Sequence, residues 1–265
     1  MGVEMLTNSE IEAAVASLLR ARADRKPLSG LPPESKPTTL QEAYRIQRAY
    51  DLKAGDRVAG YKIGAASAAS QKLVGATEPF LATVYGSACF ESPAHLRHCD
   101  FFLPGVEAEY AFEIGLDLPP RAEPYVQNEI AAAISAVRPV IEICDNRFTD
   151  WRSTDLMQII ADNGFFGALV VGKREENWRL ADLGSNEVVM RVDGGVRGQG
   201  RCEAVLGNPI DGVVWIANEL SRQSIGLTKG QLVPIGTWTG LHFVESGSRV
   251  VAEFGALGIV EIGFA

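Results

Sequence analysis

The stretch Gly105-Val106-Glu107-Ala108-Glu109-Tyr110-Ala111-Phe112-Glu113 constrains this chain more than any other. Read as a strand, it places Val106, Ala108, Tyr110 and Phe112 on one face and Glu107, Glu109 and Glu113 on the other. The apolar face can pack on a core. Carboxylates side by side on the acidic face repel unless something positive sits between them, and hard divalent cations take carboxylate oxygens readily. An E-x-E pair alone is more often a solvated outer face. A third acid changes the balance, because Glu142 interrupts the apolar run Val137-Arg138-Pro139-Val140-Ile141-Glu142-Ile143-Cys144. A carboxylate inside a β-branched strand needs a partner, and a metal shared with Glu107 and Glu109 supplies one.

The remaining composition frames that site. A chain of 265 residues with 46% hydrophobic residues can build a sizeable core, and a formal charge of -8 argues against nucleic acid or an anionic membrane as partner. No run approaches a membrane span and the first residues lack the regions of a signal peptide, so a cytoplasmic location is expected. Cys89, Cys99, Cys144 and Cys202 form no C-x-x-C pair and read as small apolar fillers.

Helical spacing marks residues 8–23, with Ser9 as N-cap, and a second helix from Thr38 or Thr39 to Gly55, where Glu42 closes a capping box. A proline-rich connector separates them. Residues 1–56 therefore read as an N-terminal helical arm, and residues 57–265 as a catalytic domain of short strands and interspersed helices. Within it, Val58–Gly64 is a strand carrying Lys62 between Tyr61 and Ile63. Such a lysine is usually at the surface, but here it can also point into a pocket and neutralise a carboxylate or a developing enolate. Residues 81–90 read as an extended stretch, 127–135 as an alanine-rich helix, 154–161 as a helix, and 188–192 with 195–204 as a hairpin about Asp193-Gly194. Pro209 opens a further helix, and four strands close the chain.

Other constellations weigh less. His95, His98 and Cys99 match no zinc spacing and read as a polar loop, while His242 reads as a strand residue. Gly236-Thr237-Trp238-Thr239-Gly240 is a glycine-bounded loop whose N–H groups can approach a ligand carboxylate, or an ordinary tight turn. There is no G-x-S-x-G elbow, G-x-G-x-x-G or Walker loop.

Glu107-Ala108-Glu109 followed by Pro139-x-x-Glu142-Ile143-x-Asp145 resembles the metal-binding pattern of the fumarylacetoacetate hydrolase superfamily. Ala43-Tyr44-x-Ile46-Gln47, Gly60-x-Lys62-Ile63-Gly64, Arg147-x-x-Asp150-Trp151, Ala161-Asp162-Asn163 and Phe254-Gly255-x-Leu257-Gly258 resemble its 2-keto-4-pentenoate hydratase and 4-oxalocrotonate decarboxylase branch. The resemblance spans nearly the whole chain. It implies an α+β fold with a mixed, rolled β-sheet core behind the helical arm, and Mg²⁺ or Mn²⁺ held by Glu107, Glu109 and Glu142. It implies a 2-oxo acid bound near Lys62, with Ile63, Gly64, Asp162, Gly236 and Thr237 in the substrate-binding set, and a homo-oligomer. The implied activity is hydration of a 2-hydroxy-2,4-dienoate in aromatic-compound catabolism. Decarboxylation, C–C hydrolysis and metal-dependent binding of a 2-oxo acid without turnover are the alternatives on the same scaffold.

Two positions depart from the resembled hydratases. Phe80 stands where they carry an aspartate after the proline, and Phe165-Phe166 stand where they carry small polar residues. Glu78, two positions before Phe80, is then the candidate to replace the missing proton shuttle.

Overall fold

The computed structural model describes residues 5–178, 183–184, 186–201 and 208–265. Cys202 and the end of the expected 195–204 strand lie outside the described residues. Six helices are described: α1 (Asn8–Asp24), α2 (Leu40–Ala54), α3 (Ala68–Val74), α4 (Gln127–Ala133), α5 (Leu156–Ala161) and α6 (Pro209–Arg222). The strands of the first half are β1 (Val58–Gly64), β2 (Phe80–Tyr85), β3 (Cys89–Glu91), β4 (Ala94–Leu96), β5 (Gly105–Ile114) and β6 (Ile134–Cys144). Those of the second half are β7 (Phe166–Val171), β8 (Val188–Val192), β9 (Gly195–Gly200), β10 (Leu232–Pro234), β11 (His242–Phe243), β12 (Arg249–Glu253) and β13 (Ile259–Phe264).

They form two mixed sheets. The larger runs β2-β1-β10-β5-β6-β7-β3, with β11 pairing the start of β5, and the smaller runs β4-β13-β12-β8-β9. β5 and β6 lie antiparallel at the centre of the larger sheet, and their register sets Glu107 opposite Glu142 and Gly105 opposite Cys144. Tyr110, Phe112, Ile141 and Ile143 are fully buried on the opposite faces of these strands. The alternation expected for the acidic strand is thus present, and the core lies on its apolar side. No helix among the described residues is long and apolar enough to cross a membrane.

Local chemistry fixes the helix ends. Thr7 rather than Ser9 caps α1 and forms a capping box with Glu10. Thr39 and Glu42 form the box of α2, which ends on Gly55 at φ 65°. Glu42 also accepts a hydrogen bond from the Leu6 N–H at 2.8 Å, which ties the entry of α1 to α2. The expected stretch 81–90 divides into β2, one 3₁₀ turn at Gly86–Ala88 and β3. The alanine-rich helix stops at Ala133, since Ile134 already begins β6.

β2 is an edge strand, and an edge strand needs its free backbone groups covered. α2 supplies part of the cover. The Tyr44 hydroxyl accepts from Leu81 N–H at 3.0 Å, and Gln47 Nε2 donates to Leu81 O and Ile160 O. Asn163 completes it, its Oδ1 taking Thr83 N–H at 2.7 Å and its Nδ2 donating to Thr83 O at 2.8 Å. The Tyr44–Gln47 and Asp162–Asn163 motifs are therefore braces that hold β2, and β1 beside it, in place.

Candidate active site

Glu107 and Glu109 project from one face of β5, and Glu142 and Cys144 from the facing positions of β6. Lys62 arrives from β1, its Nζ 2.6 Å from Glu142 Oε1, with both side chains almost fully buried. Glu109 is 2% exposed and Glu142 1%, whereas Glu107 is half-buried. Between β10 and β11 the chain follows β5, with Ile235 N–H bonded to Tyr110 O and Trp238 N–H to Ala108 O. That course carries Gly236 and Thr237 over the carboxylates. The Gly236 N–H donates to Glu109 Oε2 at 2.9 Å, so this loop orients a carboxylate of the protein.

The cavity is lined by Lys62, Ile63, Gly64, Glu107, Glu109, Cys144, Gly236 and Thr237, with Phe80, Trp151, Phe165 and Leu241 as its apolar walls. α3 adds Ser70, Leu73 and Val74 at the mouth, and none of its side chains is buried in the core. A larger cleft of about 660 Å³ lies between the end of α1 and residues 99–103. The chemistry, not the volume, picks out the site.

Two expected residues stand elsewhere. Glu78 is exposed and does not line the cavity. Asp162 is buried, but its carboxylate is taken by Arg147, whose Nε donates at 2.5 Å and whose backbone N–H donates at 3.1 Å. That pair supports the turn 163–165, in which Asn163, Gly164 and Phe165 have φ values of 60°, 56° and 64°. A left-handed conformation is costly for an aromatic residue, on the order of 1–3 kcal/mol. It aims Phe165 at the cavity, where its ring meets Trp151 edge-on at 5.7 Å. Phe80 is buried against Gly64 and Gly164; a Cβ on either glycine would come within 2.2 Å and 2.7 Å of the ring. His242 is also outside, its Nε2 held 2.8 Å from Thr239 O.

Cys144 is the residue that sequence reading missed. It is not a filler: its Sγ lies 3.4 Å from Glu107 Oε2 and 3.7 Å from Glu142 Oε1. Ligand atoms of Glu107, Glu142 and Cys144 all lie within 4.8 Å of one another. The available signal was strand periodicity, since a residue two places after Glu142 must share its face.

The electrostatics of the cluster favour a cation. With every acid ionised, three carboxylates face one ammonium in a site that water barely reaches. Burial first, and then the Glu142 charge, push the Glu107 carboxyl up to about 7, against the opposing pull of Lys62. Burial also drives Glu109 well above the carboxylate range, with Glu142 and Glu107 adding to it. Burial works against the Lys62 ammonium, but Glu142 outweighs it with help from Cys144 and Glu109, and the lysine stays charged. A hard divalent ion would fit this donor set, its charge taking the place of the protons that the acids otherwise retain.

This raises a pH prediction. An acid whose pKa rises on folding binds its proton more tightly in the folded state, so ion-free stability declines as pH rises from 4.5, the ordinary value, to about 7. Glu109, raised well above the carboxylate range, carries the decline on to higher pH. A bound ion needs the ionised acids, so its stabilisation grows over the same interval. The gain in thermal midpoint on adding Mn²⁺ is therefore larger at about pH 8 than at about pH 6. Equal gains at both would mean that these carboxyls do not hold the ion.

Comparison with known proteins agrees with this architecture. The family model described as fumarylacetoacetate (FAA) hydrolase C-terminal matches residues 89–264. A 2-keto-4-pentenoate hydratase of Paraburkholderia phymatum is 30% identical over 267 residues, covering 98% of this chain and 100% of that protein. A 2-hydroxyhexa-2,4-dienoate hydratase of Comamonas testosteroni is 29% identical, covering 93% of each. The solved 4-oxalocrotonate decarboxylase from Pseudomonas putida G7, complexed with magnesium and adipate, superposes with a TM-score of 0.90 at 23% identity. That match covers 99% of this chain and 100% of the other, and it shows a shared fold.

Proposed function

The chain belongs to the fumarylacetoacetate hydrolase family, and from that premise we propose that it is a metal-dependent hydro-lyase adding water to a 2-hydroxy-2,4-dienoate. Such substrates arise from opened aromatic rings. One observation carries the reading: buried carboxylates and Lys62 form the floor of a cavity whose upper walls are apolar. Glu107, Glu109 and Glu142 would hold Mg²⁺ or Mn²⁺, which supplies Lewis-acid polarisation of a 2-oxo acid.

The protein's own groups divide the remaining work. Lys62 Nζ places a fixed positive charge where the C2 oxygen gains negative charge as its proton leaves and C5 is protonated. Water then adds at C4 and a proton at C3, which gives the 4-hydroxy-2-oxo acid. Thr237 Oγ1 accepts from Gly240 N–H at 3.0 Å and Thr239 N–H at 3.3 Å, which leaves its hydroxyl proton to donate into the cavity. Phe80, Trp151, Phe165 and Leu241 surround the diene and restrict entry of bulk water. On this reading residues 1–56 brace the β2 edge and residues 57–265 carry the chemistry.

The decarboxylase alternative requires a second acidic group on the substrate tail. Among the described residues that line the cavity, Lys62 is the one cation, and it already faces Glu142. A tail carboxylate against Phe80 and Phe165 would be buried unpaired, at a cost of several kcal/mol. Freshly generated 2-hydroxypenta-2,4-dienoate should therefore lose its ultraviolet absorbance in the presence of Mg²⁺ or Mn²⁺ and yield the 4-hydroxy-2-oxo product. A dienoate with a second carboxylate should show a kcat/KM at least about 100-fold lower. Preference for the dicarboxylate, with release of carbon dioxide, would establish the decarboxylase instead.

A further inference from the structure

We infer that Cys144 is a fourth donor to the ion held by the carboxylates, and that its sulfur shifts the site's preference from Mg²⁺ toward Mn²⁺, Co²⁺ and Zn²⁺. The inference rests on the metal-site reading above and deepens it. Three observations support it. Cys144 follows Glu142 by two residues on β6, so its side chain shares the acidic face. Its Sγ stands 3.4 Å from Glu107 Oε2 and 3.7 Å from Glu142 Oε1, and it lines the same cavity as both Glu107 and Lys62. An ion with metal–oxygen and metal–sulfur bonds typical of a first-row divalent metal separates these donors by about 3.1–3.6 Å, between octahedral and tetrahedral angles. The observed spacing fits that range with little adjustment.

The chemistry of the donor set then decides selectivity. Carboxylate oxygens alone suit Mg²⁺, Ca²⁺ and Mn²⁺, whereas a thiolate contributes little to Mg²⁺ and much to the later first-row ions. A sulfur among three carboxylates leaves Mg²⁺ affinity nearly as it would be without it. It raises affinity progressively from Mn²⁺ to Co²⁺ and Zn²⁺.

The test is the absorption spectrum of the full-length protein titrated anaerobically with Co²⁺, with ion binding followed in parallel by calorimetry. The expected result is one ion per chain with an intense near-ultraviolet sulfur-to-cobalt charge-transfer band beside the weaker visible bands. Cys144→Ser should lose the charge-transfer band and keep the visible bands. Its Co²⁺ and Zn²⁺ affinities should fall by about 10–100-fold, and its Mg²⁺ affinity should change by less than about twofold. Stoichiometric Co²⁺ binding by the wild-type protein without the charge-transfer band would overturn the role of Cys144 and leave the carboxylate site standing. Failure of the wild-type protein to bind Co²⁺ at all would overturn the site itself, and the inference with it. Because the wild-type spectrum is decisive alone, a poorly folding variant does not spoil the test.

Discussion

Glu142→Gln lowers turnover of the dienoate by about 10³–10⁵-fold, the range expected when a Lewis acid worth several kcal/mol is lost. Glu142 is the hub of the site. Its Oε1 receives Lys62 at 2.6 Å, it faces Glu107 across the β5–β6 ladder, and it contacts Cys144. Glutamine keeps the volume and can still accept a hydrogen bond from Lys62, so the fold survives while the charge disappears. The ammonium then faces a site with one negative charge fewer and disfavours any cation between Glu107 and Glu109. Steady-state kinetics with a parallel Mn²⁺ titration measure both effects. Undiminished turnover in the variant would mean that Glu142 serves only as the partner of Lys62.

Lys62→Met has the second-largest effect, and it separates stability from catalysis. Removing one member of a buried ion pair typically costs about 3–5 kcal/mol, because the other charge is left uncompensated. Neither Lys62 nor Glu142 has appreciable exposure through which water could relieve that cost. The ion-free variant should therefore unfold at markedly lower urea than wild type, by a margin that widens as the pH rises and the acids that Lys62 holds down in wild type ionise unpaired. Mn²⁺ should restore most of the difference, since it replaces the missing positive charge. Turnover of the refilled variant should remain about 10²–10³-fold low, the cost of deleting one donor aimed at a developing oxyanion. Recovery of both stability and activity with Mn²⁺ would assign Lys62 a purely structural role. Recovery of neither would indicate that methionine disrupts β1.

Much of this site could be read from residue order because strand geometry acts locally. The two-residue period of β5 is sufficient to put Glu107 and Glu109 on one face, and the apolar run around Glu142 marks a buried acid in need of a partner. Helix caps are similarly local: Thr39 and Glu42 announce the start of α2 within four residues. What residue order hides is long-range pairing. β10 lies between β1 and β5 although it follows them by more than a hundred residues, and nothing in Leu232–Pro234 specifies that register. The same limit explains Asp162. Its carboxylate is a natural pocket residue on paper, yet the backbone folds it against Arg147, and the brace it forms aims Phe165 inward instead. Glu78 lies close to Phe80 in the chain, but the turn between them leaves one exposed and the other packed on Gly64 and Gly164. Cys144 was within reach of the same period-two argument that found Glu142. It went unread because an isolated cysteine without a metal-like spacing normally behaves as a small hydrophobe.

The departures also give the pocket its character. Phe80 and Phe165 give the cavity an aromatic wall, and on the proposed function proton transfer to the substrate carbon would fall to groups on the cavity floor and to Thr237 rather than to an acid near residue 80. This makes the metal centre the indispensable part of the account. Its most direct test is the number of Mn²⁺ ions bound per folded chain near neutral pH, counted by electron paramagnetic resonance for wild type and Glu142→Gln side by side. One tightly bound ion in wild type and none in the folded variant is the predicted result. An equal count in the two proteins, or no ion in either, would contradict a divalent centre built on Glu107, Glu109 and Glu142.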